Sequence, residues 1–247
     1  MGAKEFMGSF TIISNPAVLF YLFKGLCFTI VVSAVSVLVA LVFGSVLALV
    51  RNYCKGKSKP LGILATCYIE VFRNTPLLLW IFICLVFCPV PGFLKQKMFG
   101  LSSVEVGLLF KGVVALIIYT SAVIAEIVRG GLNAIPKGQF EAAYSEGFST
   151  VSTMTLIVLP QAYRHIIPTL LGQVITTVKD SSFLANIAVI ELMARTKQIL
   201  ATAYNYNGLG QINVSDVFVL FGFAFLIYFV INFSLSLVVR STRKKYT

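Results

Sequence analysis

The sequence predicts an all-α integral membrane protein of about five transmembrane helices, with the N-terminus outside and the C-terminus in the cytoplasm. Three observations carry this. The 247 residues are 58% hydrophobic and 12% charged, whereas soluble domains average about 45–50% apolar and about 25% charged. Uncharged runs long enough to cross a hydrocarbon core of about 30 Å recur along the chain, and the mean hydropathy is +0.91. The charges, which sum to +11, gather in the connections between those runs, as expected of a multi-pass membrane protein.

The spans are read in chain order. Residues 25–50 carry no charge; at about 1.5 Å per residue they cross the core, and the run is too long for a signal-peptide core. Residues 74–94 are also uncharged, preceded by an apolar stretch from Leu61 that Glu70, Arg73 and Pro76 interrupt. A residue before proline is pushed away from helix, so this second span is expected to break near Asn74, Thr75 and Pro76. Residues 106–125 are apolar except Lys111, which is expected to snorkel. Residues 166–178 form a shorter fourth run, extended toward Ile190, and Pro160 is expected to end a short segment before it. Residues 217–239 make a clean 23-residue fifth run closed by Arg240.

With five spans, residues 51–60, 129–165 and 240–247 share one side and hold eleven Lys and Arg in 55 residues. The other side (1–25, 89–105 and 179–216) holds seven in 80 residues. The basic side is cytoplasmic by the positive-inside rule. The basicity therefore reads as topology and does not suggest nucleic acid.

Most motifs fail. Gly56-Lys57-Ser58 resembles the end of a phosphate loop, but the glycine required five residues earlier is Arg51. No GxSxG, HExxH or paired-carboxylate pattern occurs, so no hydrolytic chemistry is suggested. The cysteines (27, 54, 67, 84 and 88) have neither disulfide nor zinc spacing and are expected to be small buried hydrophobes. One His and one Trp leave no His-ligated metal cluster. Asn213-Val-Ser215 fits a glycosylation sequon and carries little weight alone.

The long cytoplasmic loop is different. Pro136 suits the start of a short helix and Gly147 its end. Between them Ala142 and Ala143 give a smooth face flanked by Glu141 and Glu146, open to close approach by another protein. An ordinary amphipathic connector explains the same pattern.

Glu141, Ala142, Ala143, Gly147, Ile157, Leu159 and Pro160 place seven fixed positions over twenty residues. This pattern resembles the EAA loop of type I ABC importer permeases. Phe72-Arg-Asn-Thr-Pro-Leu-Leu79, Ala125-Glu-Ile-Val-Arg-Gly-Gly131, Gly138-Gln-Phe-Glu-Ala-Ala143, Leu159-Pro-Gln-Ala162 and Val178-Lys-Asp-Ser-Ser-Phe-Leu184 resemble the polar amino-acid uptake branch (histidine, glutamine, arginine and glutamate/aspartate permeases). Trp80 and the Cys84–Cys88 stretch are departures.

The resemblance implies an external N-terminal segment over 1–25, a permease domain over 26–240, a coupling loop over 137–160 within it, and a basic cytoplasmic tail over 241–247. It implies residence in the bacterial inner membrane and a coupling helix seated on separate ABC ATPase subunits. The other implied partners are a second permease copy or paralogue, an extracytoplasmic amino-acid-binding protein and membrane lipid. No cofactor is implied in this chain; ATP and Mg belong to the ATPase, so the chain is a non-catalytic subunit. The alternatives are an EAA-loop permease for another solute and an ATP-independent secondary transporter. The latter usually shows inverted repeats, and none is visible.

An amino acid carries two charges, so its path is polar, and polar groups inside spans face a cavity or the bundle interior. Gln173, Thr177, Asp180 and Ser181, with Lys179 beside them, fall on one helical face. Lys179 and Asp180 suit a zwitterion's carboxylate and ammonium, or else form a structural ion pair. Thr75, at the expected break, contacts ligand or caps a half-helix. Tyr119 lines the path or a dimer interface. Glu126 and Arg129, three residues apart, are expected to pair and orient the coupling loop. Ser33 and Ser36 read as packing contacts between helices.

Overall fold

The structure is a computed structural model that describes residues 3–54, 56–98 and 100–246. Of the expected basic segments, Lys55 and Thr247, and the side chains of Lys57 and residues 243–246, lie outside what is described. Among the described residues no strand forms beyond one isolated bridge between Met98 and Leu101.

Helix boundaries follow from capping chemistry. Helix α1, Ala3–Ser14, is followed by α2, Pro16–Tyr53. Asn15 caps α2, its side-chain oxygen accepting from the Ala17 N–H at 2.9 Å, with Pro16 at the first helical position where its missing N–H costs nothing. The expected external segment over 1–25 therefore holds α1 and the first turns of α2. Lys24 fits inside α2 because its ammonium sits 4.6 Å from the Phe20 ring centroid.

The second expected span is broken. Helix α3, Lys59–Arg73, and α4, Leu77–Phe87, meet at 110°. Asn74 closes α3 by donating to the Glu70 carbonyl, Thr75 donates to the Val71 carbonyl, and Pro76 bars continuation. Helix α5, Ser103–Asn133, opens on a capping box: Ser102 accepts from the Glu105 N–H and Glu105 accepts from the Ser102 N–H. Lys111 is half-buried; its ammonium donates to the Leu85 carbonyl near the end of α4 at 2.6 Å, where a cation suits the helix dipole.

Helix α6, Lys137–Ser145, and α7, Thr150–Ser152, follow. A wide π-turn, Thr153–Val158, leads into α8, Leu159–Asp180. The expected break at Pro160 is absent. The Leu159 N–H donates to the carbonyl of Met154, five residues back, and such a π-turn accommodates a proline missing its own N–H. After a 3-10 stretch, α9, Leu192–Ala201, precedes α10, Val214–Tyr246.

Helices α2, α5 and α10 are long and apolar enough to cross a membrane, as is the bent pair α3–α4 taken together. Their exposed apolar residues recur at helical spacing: Val31, Val35, Leu38, Val42 and Val46 on α2, and Phe218, Phe225, Phe229 and Phe233 on α10. Such stripes suit contact with lipid. Among the cysteines only Cys84 is buried; Cys27 and Cys67 lie on exposed faces, where neighbours such as Ile30 and Leu64 are exposed too. The cysteine expectation is corrected accordingly.

The chain forms two compact units, residues 1–35, 80–116 and 177–234 in one, and 36–79, 117–176 and 235–247 in the other. The first unit is centred on Ile12, Leu22, Leu192, Ile199 and Leu220. The core of the second joins Ala40, Ala48, Ile69, Ile124, Val128, Leu132, Val158 and Ile166. Gly44 lets two helices of the second unit approach closely: a Cβ there would stand 2.6 Å from the Ser121 carbonyl oxygen.

Candidate functional site: the α6 loop, its ion network and the end of α8

The α6 loop belongs to the second unit. Pro136 precedes the helix with an extended backbone, and Gly147 closes it at φ +82°. The Phe148 N–H donates to Ala143 and the Gly147 N–H to Tyr144, each at 3.0 Å. These two bonds form a Schellman cap, which requires the left-handed backbone that glycine adopts without penalty. Ala143 is buried, while Glu141, Ala142, Tyr144 and Gly147 are exposed. Phe140 packs on the core of the unit, and Gln161 of α8 donates to Gln139 of α6 at 3.1 Å. Ile157 and Leu159 are half-buried and Pro160 is exposed. The loop therefore presents a short, firmly seated helix with a small acidic outer face.

The expected pair of Glu126 and Arg129 forms, with Nε and Nη2 of Arg129 donating to the carboxylate at 2.9–3.1 Å. It is part of a larger network. Arg51 of α2 donates to Glu126 and, through its other terminal nitrogen, to Glu70 of α3 at 2.8 Å. Arg73 stands 3.7 Å from Glu126. Three guanidiniums thus surround two carboxylates from α2, α3 and α5. In the sequence Arg51 reads only as a loop charge, and Glu70 and Arg73 only as interruptions of a span. Their common signal is charge of both signs at the ends of three apolar runs.

The substrate-path candidates are distributed as follows. Gln173 and Thr177 are buried on successive turns of α8, Asp180 is half-buried at its last residue, and Lys179 is exposed. Ser181 lies just past the helix, is buried, and donates to the Val178 carbonyl at 2.8 Å. Among the described residues Lys179 and Asp180, adjacent at the end of α8, make no ion pair within 4 Å. Lys179 borders a groove of about 360 Å³ with Phe225, Tyr228 and Phe229 of α10. Tyr119 and Thr75 are half-buried. Ser33 donates to the Thr29 carbonyl at 2.7 Å; Ser36 is buried.

Two buried acids, Glu191 and Asp216, are not anticipated from the sequence. Glu191 caps α9 with no exposed surface. Its carboxylate accepts from the N–H groups of Ala194 at 2.6 Å and Met193 at 2.9 Å, and from the Tyr228 hydroxyl at 2.9 Å. For Glu191 the available signal is a single acid in the otherwise uncharged stretch 181–194.

These features define an all-helical protein suited to the membrane, with a seated polar-faced helix between α5 and α8 and polar residues buried along α8. Comparison with known proteins narrows the class. Residues 40–246 match the family described as "Binding-protein-dependent transport system inner membrane component", and the chain belongs to that family. It is 34% identical over 227 residues to the probable glutamine ABC transporter permease protein GlnP of Bacillus subtilis, covering 92% of this chain and 94% of that one. It is 32% identical over 228 residues to the glutamate/aspartate import permease protein GltK of Escherichia coli O157:H7, covering 91% and 93%. A crystal structure of an amino acid ABC transporter with histidines aligns with TM-score 0.72 and 27% identity, covering 95% of this chain and 98% of that one. The MetNI methionine ABC transporter, at TM-score 0.65 and 18% identity over 92% of this chain and 99% of that one, shares the fold.

Proposed function

We propose that the chain is the membrane permease subunit of an ATP-binding-cassette importer that moves a polar amino acid into the cytoplasm. It crosses the membrane five times, through α2, the α3–α4 pair, α5, α8 and α10, with its N-terminus outside. Residues 1–25 form an external N-terminal segment, residues 26–240 the permease domain, residues 137–160 the coupling loop within it and residues 241–247 a basic cytoplasmic tail. The density of Lys and Arg, eleven in 55 residues against seven in 80, supports this orientation.

The observation that carries the reading is the α6 loop. Its inner side is anchored by Ala143, Phe140 and Gln139, and its outer side offers Glu141, Ala142 and Gly147. A helix so seated transmits a push to the unit beneath it, which is what a separate ATPase requires in order to switch the permease between inward- and outward-facing states. Glu141, Ala142, Ala143, Gly147, Ile157, Leu159 and Pro160 make or shape that contact. The amino-acid cargo rests on the names of the curated relatives and on the polar set Thr75, Tyr119, Gln173, Thr177, Lys179, Asp180 and Ser181. The chain itself has no catalytic residue; ATP and Mg are held by the ATPase subunits. The remaining partners are a second permease and an extracytoplasmic binding protein.

The test is co-purification and uptake. Glu141→Lys is expected to leave the chain inserted while abolishing ATPase binding and transport. Normal uptake by that variant would overturn the coupling assignment.

A further inference from the structure

Helix α3 is exposed along much of its apolar surface. It buries only Gly62, Ala65 and Ile69, while Leu61, Ile63, Leu64 and Val71 are exposed. Its polar attachments include Tyr68, Glu70 and Arg73, the last 3.7 Å from the Glu126 carboxylate. The Tyr68 hydroxyl meets the Ile118 carbonyl and the Ser121 hydroxyl, each at 2.9 Å. Glu70, one turn before the break at residues 74–76, is held by Arg51. Glu70 is also tied to the break itself, because Asn74 donates to both its carbonyl and its carboxylate. Arg51 is shared in turn with Glu126 of α5. Seven residues beyond Glu126, α5 ends at Asn133; Leu132 and Ile135 there are buried in the core on which Phe140 of α6 packs. A continuous chain of contacts thus runs from α6 through α5 to Glu126, Arg51 and Glu70, and on to the break that carries Thr75.

From this chain of contacts we propose that Arg51 and Glu70 are positioning residues of the transport step: they tie α3 and its break to α5, so that displacement of α6 moves the break. The proposal rests on the reading of α6 as the ATPase contact. A forked guanidinium suits the task because it binds two carboxylates at once with fixed geometry. The side chains of Arg51 and Glu126 are 20% and 16% exposed, so their contact is screened less than a surface pair, whereas Glu70 is 47% exposed and its tie to Arg51 rests on the hydrogen bond at 2.8 Å. When Glu70 is neutralised, α3 keeps its apolar contacts, the Tyr68 bonds to α5 and Arg73 beside Glu126, but its last turn loses the Arg51 tie, so the break follows α5 less closely. ATP is then hydrolysed with a smaller movement of the break.

The experiment uses proteoliposomes holding the permease, its ATPase and its binding protein. It measures ATP hydrolysed and solute imported together, the probe being whichever of radiolabelled glutamine, glutamate, arginine or histidine the wild type accumulates. Glu70→Gln removes the Arg51 attachment of α3 and leaves Arg51 on Glu126; Arg51→Gln removes both. Coupling between sites is typically worth a factor of about five or more, so both variants are expected to raise ATP consumed per solute by about fivefold or more, with hydrolysis near the wild-type rate. An unchanged ratio in Glu70→Gln, whether both rates fall together or neither does, overturns the proposal. If Arg51→Gln fails to assemble, Glu70→Gln decides alone. Glu141→Lys is run alongside; wild-type rates and ratio there would instead remove the coupling role of α6, which separates the two failures.

Discussion

The Schellman cap at the end of α6 gives the sharpest handle on the coupling loop. Gly147 has φ +82°, and a Cβ at this position would meet no heavy atom within 4 Å. A substitution therefore acts through backbone preference alone and not through a clash inside the chain. The left-handed conformation costs an ordinary L-residue roughly 1–2 kcal/mol, whereas Asn visits it readily. Alternative loop conformations lose the bonds from Phe148 to Ala143 and from Gly147 to Tyr144, and with them the orientation of Glu141 and Ala142. Apparent affinity for a partner falls with the fraction of molecules in the competent conformation. A penalty of about 1–2 kcal/mol thus weakens ATPase docking by up to roughly 5- to 30-fold. The expected order of affinity is wild type, Gly147→Asn, Gly147→Ala, Gly147→Val, measured as binding of the ATPase to permease in lipid nanodiscs. Equal losses for Asn and Val would refute the reasoning, since they would point to a steric requirement at the partner's surface; so would full affinity for Val.

Other predictions follow from single contacts. Gly44→Ala places a methyl 2.6 Å from the Ser121 carbonyl oxygen and is expected to destabilise the protein by about 1–3 kcal/mol, read as a lowered Tm in detergent; no change would mean the helices separate freely there. Glu191→Ala leaves the Met193 and Ala194 N–H groups and the Tyr228 hydroxyl without their acceptor, at a cost of about 1–3 kcal/mol for each buried group left unsatisfied. Glu191→Gln retains one oxygen and is expected to lose less, so equal thermal stability of the two variants would contradict this account. Asp180→Asn and Gln173→Ala are expected to alter the KM or the selectivity of uptake at unchanged expression; a change in expression alone would make both residues structural.

The long apolar runs and the break at Asn74-Thr75-Pro76 were legible because composition and proline stereochemistry act locally. Helix ends were less so. Asn15 and the capping box of Ser102 and Glu105 extend α2 and α5 beyond their uncharged stretches, since a helix stops where its terminal N–H groups find partners and not where polarity begins. Pro160 misled because a π-turn, formed by bonds five residues apart, leaves no mark in residue type. At the site, Glu126 with Arg129 was readable as a pair three residues apart. Arg51, 75 residues from Glu126 in sequence, was not, nor was Glu191 with Tyr228, 37 residues away. Tertiary partners of that kind are visible only once the helices are placed.

The central claim is that this chain converts the work of a separate ATPase into passage of a polar amino acid. Uptake of radiolabelled glutamine, glutamate, arginine and histidine into proteoliposomes containing the permease, its ATPase and its binding protein tests it most directly. The account predicts accumulation of at least one of them against its gradient, only with ATP present and lost on Glu141→Lys. Equal accumulation without ATP or without the ATPase would contradict it.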